Sequence, residues 1–440
     1  MSLAKQITQV FSRDLLLFVT NLITGILVAR LLGPASLGIW MILSLIPSYA
    51  EAFGRLKTDV ASVYFIGKKK YNDADILFNL NVIALSLSIV IVTGCLFSIN
   101  WFISNFLKDA YEIKSEFVII LFQVPVQFLY LNYAYFHLAH ERTAVYNRMV
   151  IIQSIANSLF VLIFLVVCKM GLLSVILAVI LSNLAALVYG YLKVNRRPYK
   201  KGTFHLSLIK DMIQYAKFFY VSGILSHLQE QGVKTIVASM LNAPMIAYLG
   251  QAQGLGKLLL KVTDAINILM YPRVSKSEHS DSISISCSAF RISFVIVFLG
   301  SVFFFFSAEY LIKVLYGNQY AETGRLIKIL VPGLLLYAVS STLIPFFNGT
   351  GRARVIPLLQ LLPLCIQLII SWLLTKQFSI NGAAVSISLG MMLYSVFLIV
   401  YFLRHSSADI NTLIPKAADF RMLKKLAVSL LPVKQTKVVI

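Results

Sequence analysis

Lys257 and Lys261 stand one helical turn apart in "GQAQGLGKLLLKVTDAINILM", a run otherwise rich in apolar residues. Two ammonium groups at that spacing repel each other unless an anion or a carboxylate lies between them. With no other local partner evident in the sequence, the pair points to an anionic ligand group. Gln253 and Asp264 extend the same stripe, because 253, 257, 261 and 264 recur every three or four residues along a helix of 3.6 residues per turn. Two more stripes share the pattern: Ser44, Ser48, Glu51 and Arg55, and Gly223, His227, Glu230 and Lys234. An ionised side chain in hydrocarbon costs about 2.5 kcal/mol or more, so each stripe is expected to face a cavity or a partner. Glu51 with Arg55, and Glu230 with Lys234, also suit plain i,i+4 ion pairs. His227 suits either polar packing or proton coupling, since histidine titrates near neutrality.

The elements that carry these stripes follow from composition. Of 440 residues, 58% are hydrophobic and 13% charged, against about 25% charged in soluble domains. The apolar residues come in segments of about 20, the length that crosses ~30 Å of hydrocarbon. We place spans near 14–32, 37–57, 77–101, 115–136, 148–168, 172–192, 213–240, 246–270, 288–307, 326–347, 355–375 and 382–403, about twelve in all. The segments are too long and too uniform for a β-barrel. The chain reads as an all-α integral membrane protein. Its first apolar stretch is as long as a span and has no small-residue cleavage site after it, so it reads as a retained helix and not a removed signal. Cys95, Cys168, Cys287 and Cys365 lie in or beside apolar segments without a C-x-x-C pair, and read as small hydrophobes and not as metal ligands.

Net charge is +21, and its placement sets orientation. Lys68–Lys70, Arg142, Arg148, Lys193 through Lys217, Arg273, Lys276, Arg352, Arg354 and the C-terminal tail fall on one side. By the positive-inside rule that side is cytoplasmic and holds both termini. The charge is an orientation signal and an attraction to anionic lipid, with no nucleic-acid partner implied. A shift of about 209–211 positions overlays the two halves: Arg142 falls on Arg352, Gly171 on Gly382 and Ser48 on Lys257. Six spans per half is an even number, so the repeat is parallel, about an axis along the membrane normal. We expect an N-lobe at 1–192, a cytoplasmic connection at 193–212, a C-lobe at 213–403 and an amphipathic cytoplasmic tail at 404–440. The expected central cavity has Arg30, Arg55, Lys234, Lys257 and Lys261 as basic lining. Glu51, Glu230 and Asp264 supply acid, and Asn21, Ser48, His227 and Gln253 complete the polar and coupling candidates.

Several segments then carry a resemblance. "VARLLGPASLGIW", "LMYPRVSK", "LYGNQYAETGRLIKIL", "NGTGRARVIPLLQ" and "INGAAVSISLG" resemble, in order and spacing, the polysaccharide transporter family of the MOP (MATE-like) superfamily, and most of all its Wzx-type flippases. The resemblance runs from about residue 1 to residue 404. It implies two six-helix lobes around a cationic cavity and alternating access coupled to H+ or Na+, with no other cofactor. It implies a cargo of undecaprenyl-pyrophosphate-linked oligosaccharide, moved across a bacterial inner membrane for O-antigen, capsule or exopolysaccharide. The implied partners are membrane lipids and a polysaccharide polymerase or chain-length system, with the chain itself a monomer. Arg30 matches an arginine of the related lipid II flippases, but Gly38 and Arg55 depart from their further cavity charges. The alternatives are a multidrug or cation antiporter of the same superfamily, a lipid II-type flippase and a membrane glycosyltransferase. Unpartnered lysines speak against the first. The last needs a large extramembrane loop, which this chain lacks, so no enzyme activity is expected.

Overall fold

The computed structural model describes residues 3–107, 113–194, 202–406 and 408–416, and among them there is no strand. The helices are α1 (Leu3–Tyr49), α2 (Thr58–Lys68), α3 (Asp73–Phe97), α4 (Ile99–Phe106), α5 (Lys114–Leu121), α6 (Gln123–Ala139), α7 (Thr143–Val161), α8 (Leu172–Lys193), α9 (Leu206–Met240), α10 (Ala243–Lys276), α11 (His279–Tyr316), α12 (Ala321–Ser341), α13 (Ile344–Gly349) and α14 (Val355–Ser406). Eight helical runs are long and apolar enough to cross a bilayer. Two of them, Leu16–Gly54 with 39 residues and Val355–Ser406 with 52, contain a non-helical break. At 1.5 Å per residue they would reach roughly 58 and 78 Å, against a hydrocarbon core of about 30 Å. Each breaks at a single left-handed residue, Gly33 (φ 73°, ψ 171°) and Ser379 (φ 53°, ψ −138°). Each is therefore a pair of crossings. α9 and α10, of 35 and 34 residues, are also long enough to cross, but they carry the charged stripes. These runs account for the dozen or so crossings expected from the sequence. The expected tail helix at 404–440 lies mostly outside the described residues. What is described is the end of α14, then a short 3-10 turn at Ile410–Thr412.

Contacts divide the chain into two compact units. Unit 1 is Met1–Gly250 with Lys313–Tyr320, and unit 2 is Gln251–Ile312 with Ala321–Ile440. Unit 1 takes in α9, beyond the 193–212 connection. Its core packs α6, α7 and α8 together, with α3 and α2 against α6. Phe65, Tyr130, Tyr133, Phe136 and Met149 fill that core. The chain entering α9 is tied to the start of α3 by side chains. Asp75 accepts from the Thr203 amide at 2.7 Å and its hydroxyl at 2.8 Å, and Asn79 bonds both Thr203 O and the His205 amide. Asp211 accepts from Lys70 at 2.6 Å and Tyr71 at 2.7 Å. The Lys70 hydrogen bond holds the Asp211 carboxyl below its ordinary range, and Asp211 in turn raises Lys70. That contribution to stability is present at neutral pH and is lost as pH falls through the lowered Asp211 value. In unit 2, α12 packs along α14, with the Gly333 amide donating to Ser388 Oγ at 3.1 Å. Arg291 Nη1 donates to Thr412 O at 2.7 Å and fastens the start of the tail to α11.

Backbone geometry supports the internal repeat. After α6, Arg142 N bonds His137 O (2.9 Å), Glu141 N bonds Leu138 O (3.0 Å) and His140 N bonds Phe136 O (3.3 Å). After α13, Arg352 N bonds Phe347 O (2.7 Å), Gly351 N bonds Asn348 O (3.3 Å) and Thr350 N bonds Phe346 O (3.0 Å). Residues 142 and 352, 141 and 351, 140 and 350 are all 210 apart (352 − 142 = 210). Both turns place a left-handed residue at the same step, Glu141 (φ 56°) and Gly351 (φ 76°). This is the Schellman pattern that satisfies the last carbonyls of a helix, used twice in register. The next pair of turns corrects the sequence alignment. Gly171 (φ 58°, ψ −129°) has its conformational counterpart in Ser379 (φ 53°, ψ −138°), and not in Gly382. An offset of 208 (379 − 171 = 208) holds there, because the connection is shorter in the second half.

Gly38 is where two helices of unit 1 touch backbone to backbone. A Cβ there would sit 1.8 Å from Ala243 O, whereas a Cβ at Gly25 meets nothing within 4 Å. Gly38→Ala is expected to cost about 1–3 kcal/mol through overpacking. Gly25→Ala is expected to stabilise by roughly 0.5–1 kcal/mol through lower backbone entropy. Thermal unfolding of the detergent-solubilised variants checks both, and equal midpoints would refute the close approach.

Candidate functional site

Arg30 stands on α1 just before the Gly33 break. Its Nε donates to Leu315 O at 2.7 Å and its Nη2 donates to Val314 O. These are last-turn carbonyls of α11, which has no further turn to accept them. A guanidinium at a helix C-terminus also meets the negative end of the helix dipole. Around it, Tyr320 is fully buried and donates to Ala29 O at 2.9 Å, and Gln319 Nε2 donates to Arg30 O at 3.4 Å. So "VAR" of the first motif and "LYGNQY" of the third form one clasp within unit 1. The sequence placed Arg30 at a cavity mouth. In the fold its fork grips two carbonyls.

The stripe of Ser44, Ser48, Glu51 and Arg55 does not continue as one face. Pro47 removes a backbone donor inside α1, and a π-turn follows at Ala50–Gly54. A π-turn inserts one residue and shifts everything after it around the axis. Leu56 and Lys57 then take left-handed angles (φ 51° and 53°) before α2 begins. Arg55 is left 6% exposed, with Nη2 3.5 Å from Asp59 Oδ2, Nη1 3.9 Å from Glu51 Oε1, and its guanidinium 5.9 Å from the Tyr135 ring centre. Asp59 is 1% exposed. A buried charge stripped of such a partner costs about 3–5 kcal/mol, which makes the pair obligatory once it is formed. Glu51 also accepts from Gln127 Nε2. Asp59 was legible at i+4 from Arg55, but the π-turn and the two left-handed residues had no sequence signal.

A polar cluster nevertheless forms in unit 1 where the π-turn meets α9. Tyr49 OH and Thr235 Oγ1 are 2.7 Å apart, and the Tyr49 ring stands edge-on to His227 at 4.8 Å. Tyr220 OH donates to Phe53 O at 3.0 Å, one of the carbonyls the π-turn displaces. Lys57 lies over Gly223, where a Cβ would come within 2.6 Å of its Cε. Glu230, Lys57 and Lys234 all lie within electrostatic reach of His227, whose Nε2 is buried with no hydrogen-bond partner among the described residues. Tyr49 and Thr235 carry no charge to mark them, and Lys57, although inside the 37–57 span, falls off the stripe of 44, 48, 51 and 55. Asn21 takes a different part: its Oδ1 accepts from Ser154 Oγ at 3.3 Å, joining α1 to α7. Ser48 is half-buried. His227 also shares the membrane helices with a second histidine, since α6 runs through His137, fully buried with Nε2 2.9 Å from Gly190 O.

Unit 2 holds the α10 stripe. Lys257, Lys261 and Asp264 are exposed and Gln253 is half-buried, with its Oε1 unpartnered among the described residues. Lys261 Nζ lies 3.5 Å from Asp264 Oδ2. The expectation that the α10 lysines have no local partner is therefore corrected: Lys257 is not without a partner, and Lys261 pairs with Asp264. Three residues is a helical neighbour distance, so this pair forms within α10 itself. Among the described residues no cluster of His, Cys, Asp and Glu suits a metal ion.

The chain is a polytopic helical membrane protein whose breaks and charges sit in its helices. Solved structures with that architecture match it along most of its length. A multidrug resistance MATE family transporter of the MOP superfamily, in its inward-facing conformation, aligns with a TM-score of 0.73 at 15% identity, over 89% of this chain and 94% of that one. The lipid II flippase MurJ, in an inward closed conformation, aligns at 0.72 and 14%, over 95% and 92%. A MOP superfamily transporter from Pyrococcus furiosus, described as having a binding pocket of reversed polarity, aligns at 0.61 and 15%, over 90% and 93%. These structural alignments establish the MATE-like fold. No curated protein sequence matches the chain. The sequence model of the polysaccharide biosynthesis protein family matches residues 27–325. The chain belongs to that family.

The Arg30 clasp has a measurable consequence. Arg30→Ala is expected to lower the unfolding midpoint by the equivalent of about 1–2 kcal/mol, the worth of charge-assisted hydrogen bonds at an exposed site. Arg30→Lys is expected to recover only part, because one ammonium cannot fork across two carbonyls. An Arg30→Ala protein with the wild-type midpoint would show that the clasp carries no stability.

Proposed function

We propose that the chain is a flippase that moves undecaprenyl-pyrophosphate-linked oligosaccharide repeat units from the cytoplasmic to the periplasmic leaflet of a bacterial inner membrane. It works by alternating access, with H+ or Na+ as coupling ion, in the synthesis of O-antigen, capsule or a related exopolysaccharide. It acts as a transporter and not as an enzyme, and hands its cargo to a polymerase on the outer face. One observation carries this reading: a polysaccharide biosynthesis sequence is folded as a MATE-like transporter. A glycan-building pathway needs such a fold where its intermediate must change leaflets.

The physical problem is an amphiphile whose sugars and pyrophosphate cannot cross hydrocarbon unaided. Each unit by itself offers lysines that suit a pyrophosphate: unit 1 has Lys57 and Lys234, and unit 2 has Lys257 and Lys261. Their compact ammonium groups bind phosphate as point charges. Arg30 and Arg55, engaged with carbonyls and with Asp59, are assigned to holding the helices in place. His227, Glu230 and Glu51 are the proton-coupling candidates in unit 1, and Asp264 in unit 2. Asn21, Ser48 and Gln253 supply polar surface. A multidrug extruder favours acidic surfaces for organic cations, and the basic excess of these stripes opposes that reading.

Deletion of the gene is expected to trap lipid-linked repeat units on the cytoplasmic leaflet and abolish surface polymer, as read by glycan staining and extraction of the lipid pool. Normal polymer in a clean deletion sinks the proposal. The variant Lys257→Ala/Lys261→Ala is expected to reduce export by about tenfold or more at unchanged protein level, the effect of losing roughly 1.4 kcal/mol of binding. Wild-type export by that variant removes the α10 lysines from the site.

A further inference from the structure

Among the described residues of unit 1, a pair of apolar grooves can be compared. One, of about 240 Å³, is lined by Leu85, Ile89, Val92, Val118 and Phe122 among others, with no charged residue in its wall. The other, of about 360 Å³, lies between the end of α1 with its π-turn, the second half of α3, the short helix α4 and Thr235 of α9. Its floor is Leu45, Ile46 and Ala50, each no more than 8% exposed. Its rim is aromatic: Phe53 is 41% and Trp101 62% exposed, and Phe102 stacks on Phe106 at 4.8 Å. The two grooves differ in what lies at the end. Tyr49 lines the larger groove, while the same side chain bonds Thr235 and abuts His227 in the polar cluster that includes Lys57, Lys234 and Glu230. An apolar trough that runs into a basic polar cluster has the two-part chemistry of an amphiphile with an anionic head.

We propose that this groove holds part of the isoprenoid chain of the lipid-linked substrate, with the phosphate end of that chain toward Lys57 and Lys234. The proposal rests on the flippase reading, which supplies the substrate class. The groove is too small for a whole undecaprenyl chain, so it takes the segment nearest the head while the remainder stays in lipid. The π-turn begins at Ala50, in the floor of the groove and directly after Tyr49. Bulk phospholipid is the competing occupant, and it shares the apolar tail but differs in its branching and head.

The test uses the full chain in phosphatidylglycerol nanodiscs and a polyprenyl phosphate bearing a diazirine in its first isoprene units. After irradiation, insertion is mapped by mass spectrometry. Insertion is expected on Phe53, Cys95, Trp101 and Phe106 and not on Ile89, Val118 or Phe122. Undecaprenyl phosphate at about ten times its dissociation constant is expected to lower that insertion about tenfold, by simple occupancy. Added phosphatidylglycerol is expected to leave it unchanged. Insertion spread over both grooves, or equal competition by phosphatidylglycerol, overturns the proposal. Cys95→Trp narrows the groove at its half-exposed wall and is expected to abolish the competable insertion and reduce export at normal protein level. Wild-type export with insertion abolished overturns the groove's part in transport. The insertion readout needs no glycan and no transport, so it stands or falls separately from the flippase reading.

Discussion

A backbone in hydrocarbon has no water to satisfy its amides and carbonyls, so every break in a membrane helix must find partners inside the protein. The informative parts of this chain are those breaks. At Gly33 the chain turns, and Arg30 and Tyr320 bind the neighbouring loose ends of α1 and α11. At Ala50–Gly54 the helix widens, and Tyr220 accepts the role of donor to the freed Phe53 carbonyl. At Glu141 and Gly351 the same capping turn closes two helices that sit at equivalent places in the repeat. The polar residues of unit 1 cluster around these points because broken backbone and buried charge solve each other's desolvation problem.

The same constraint sorts the charges. A charge in a membrane helix is expected to be functional, yet two kinds are present here. Arg30 and Arg55 have rigid forks matched to fixed acceptors, the α11 carbonyls and the Asp59 carboxylate. Lys57, Lys257 and Lys261 sit on flexible stems, and Lys257 and Lys261 are exposed. Arginine suits the permanent, geometric contacts and lysine the transient ones, as their hydration and shape dictate. In the proposed transport cycle this division lets the scaffold keep its ion pairs while the lysines meet and release a phosphate.

The larger apolar groove and the polar cluster are joined by one residue, Tyr49. It lines the groove, and its hydroxyl is a hydrogen-bond partner for Thr235. Amphipathic side chains of this kind belong where an apolar and a polar environment meet. That geometry suits the proposed amphiphile, and it arises in unit 1 from local features of α1, α3, α4 and α9.

Much of this protein was legible in its sequence. The number and length of the crossings, their helical nature and the parallel repeat follow from hydropathy and from Arg142 matching Arg352, because span length and capping turns are local properties. The Gly33 turn was legible for the same reason. What the charges do was not. Arg30 reads as a cavity residue until α11 is seen to end beside it, 285 positions away along the chain. Arg55 reads as part of a helical stripe until the π-turn rotates it toward Asp59 and Tyr135. Lys261 reads as unpartnered although Asp264 lies three residues on. Tyr49 carries no charge to mark it, and Lys57 falls off the helical stripe of Ser44, Ser48, Glu51 and Arg55. Helix formation depends on neighbours in sequence, whereas the partner of a charge or the lining of a groove depends on which distant helix packs against it. Only the tertiary structure decides that.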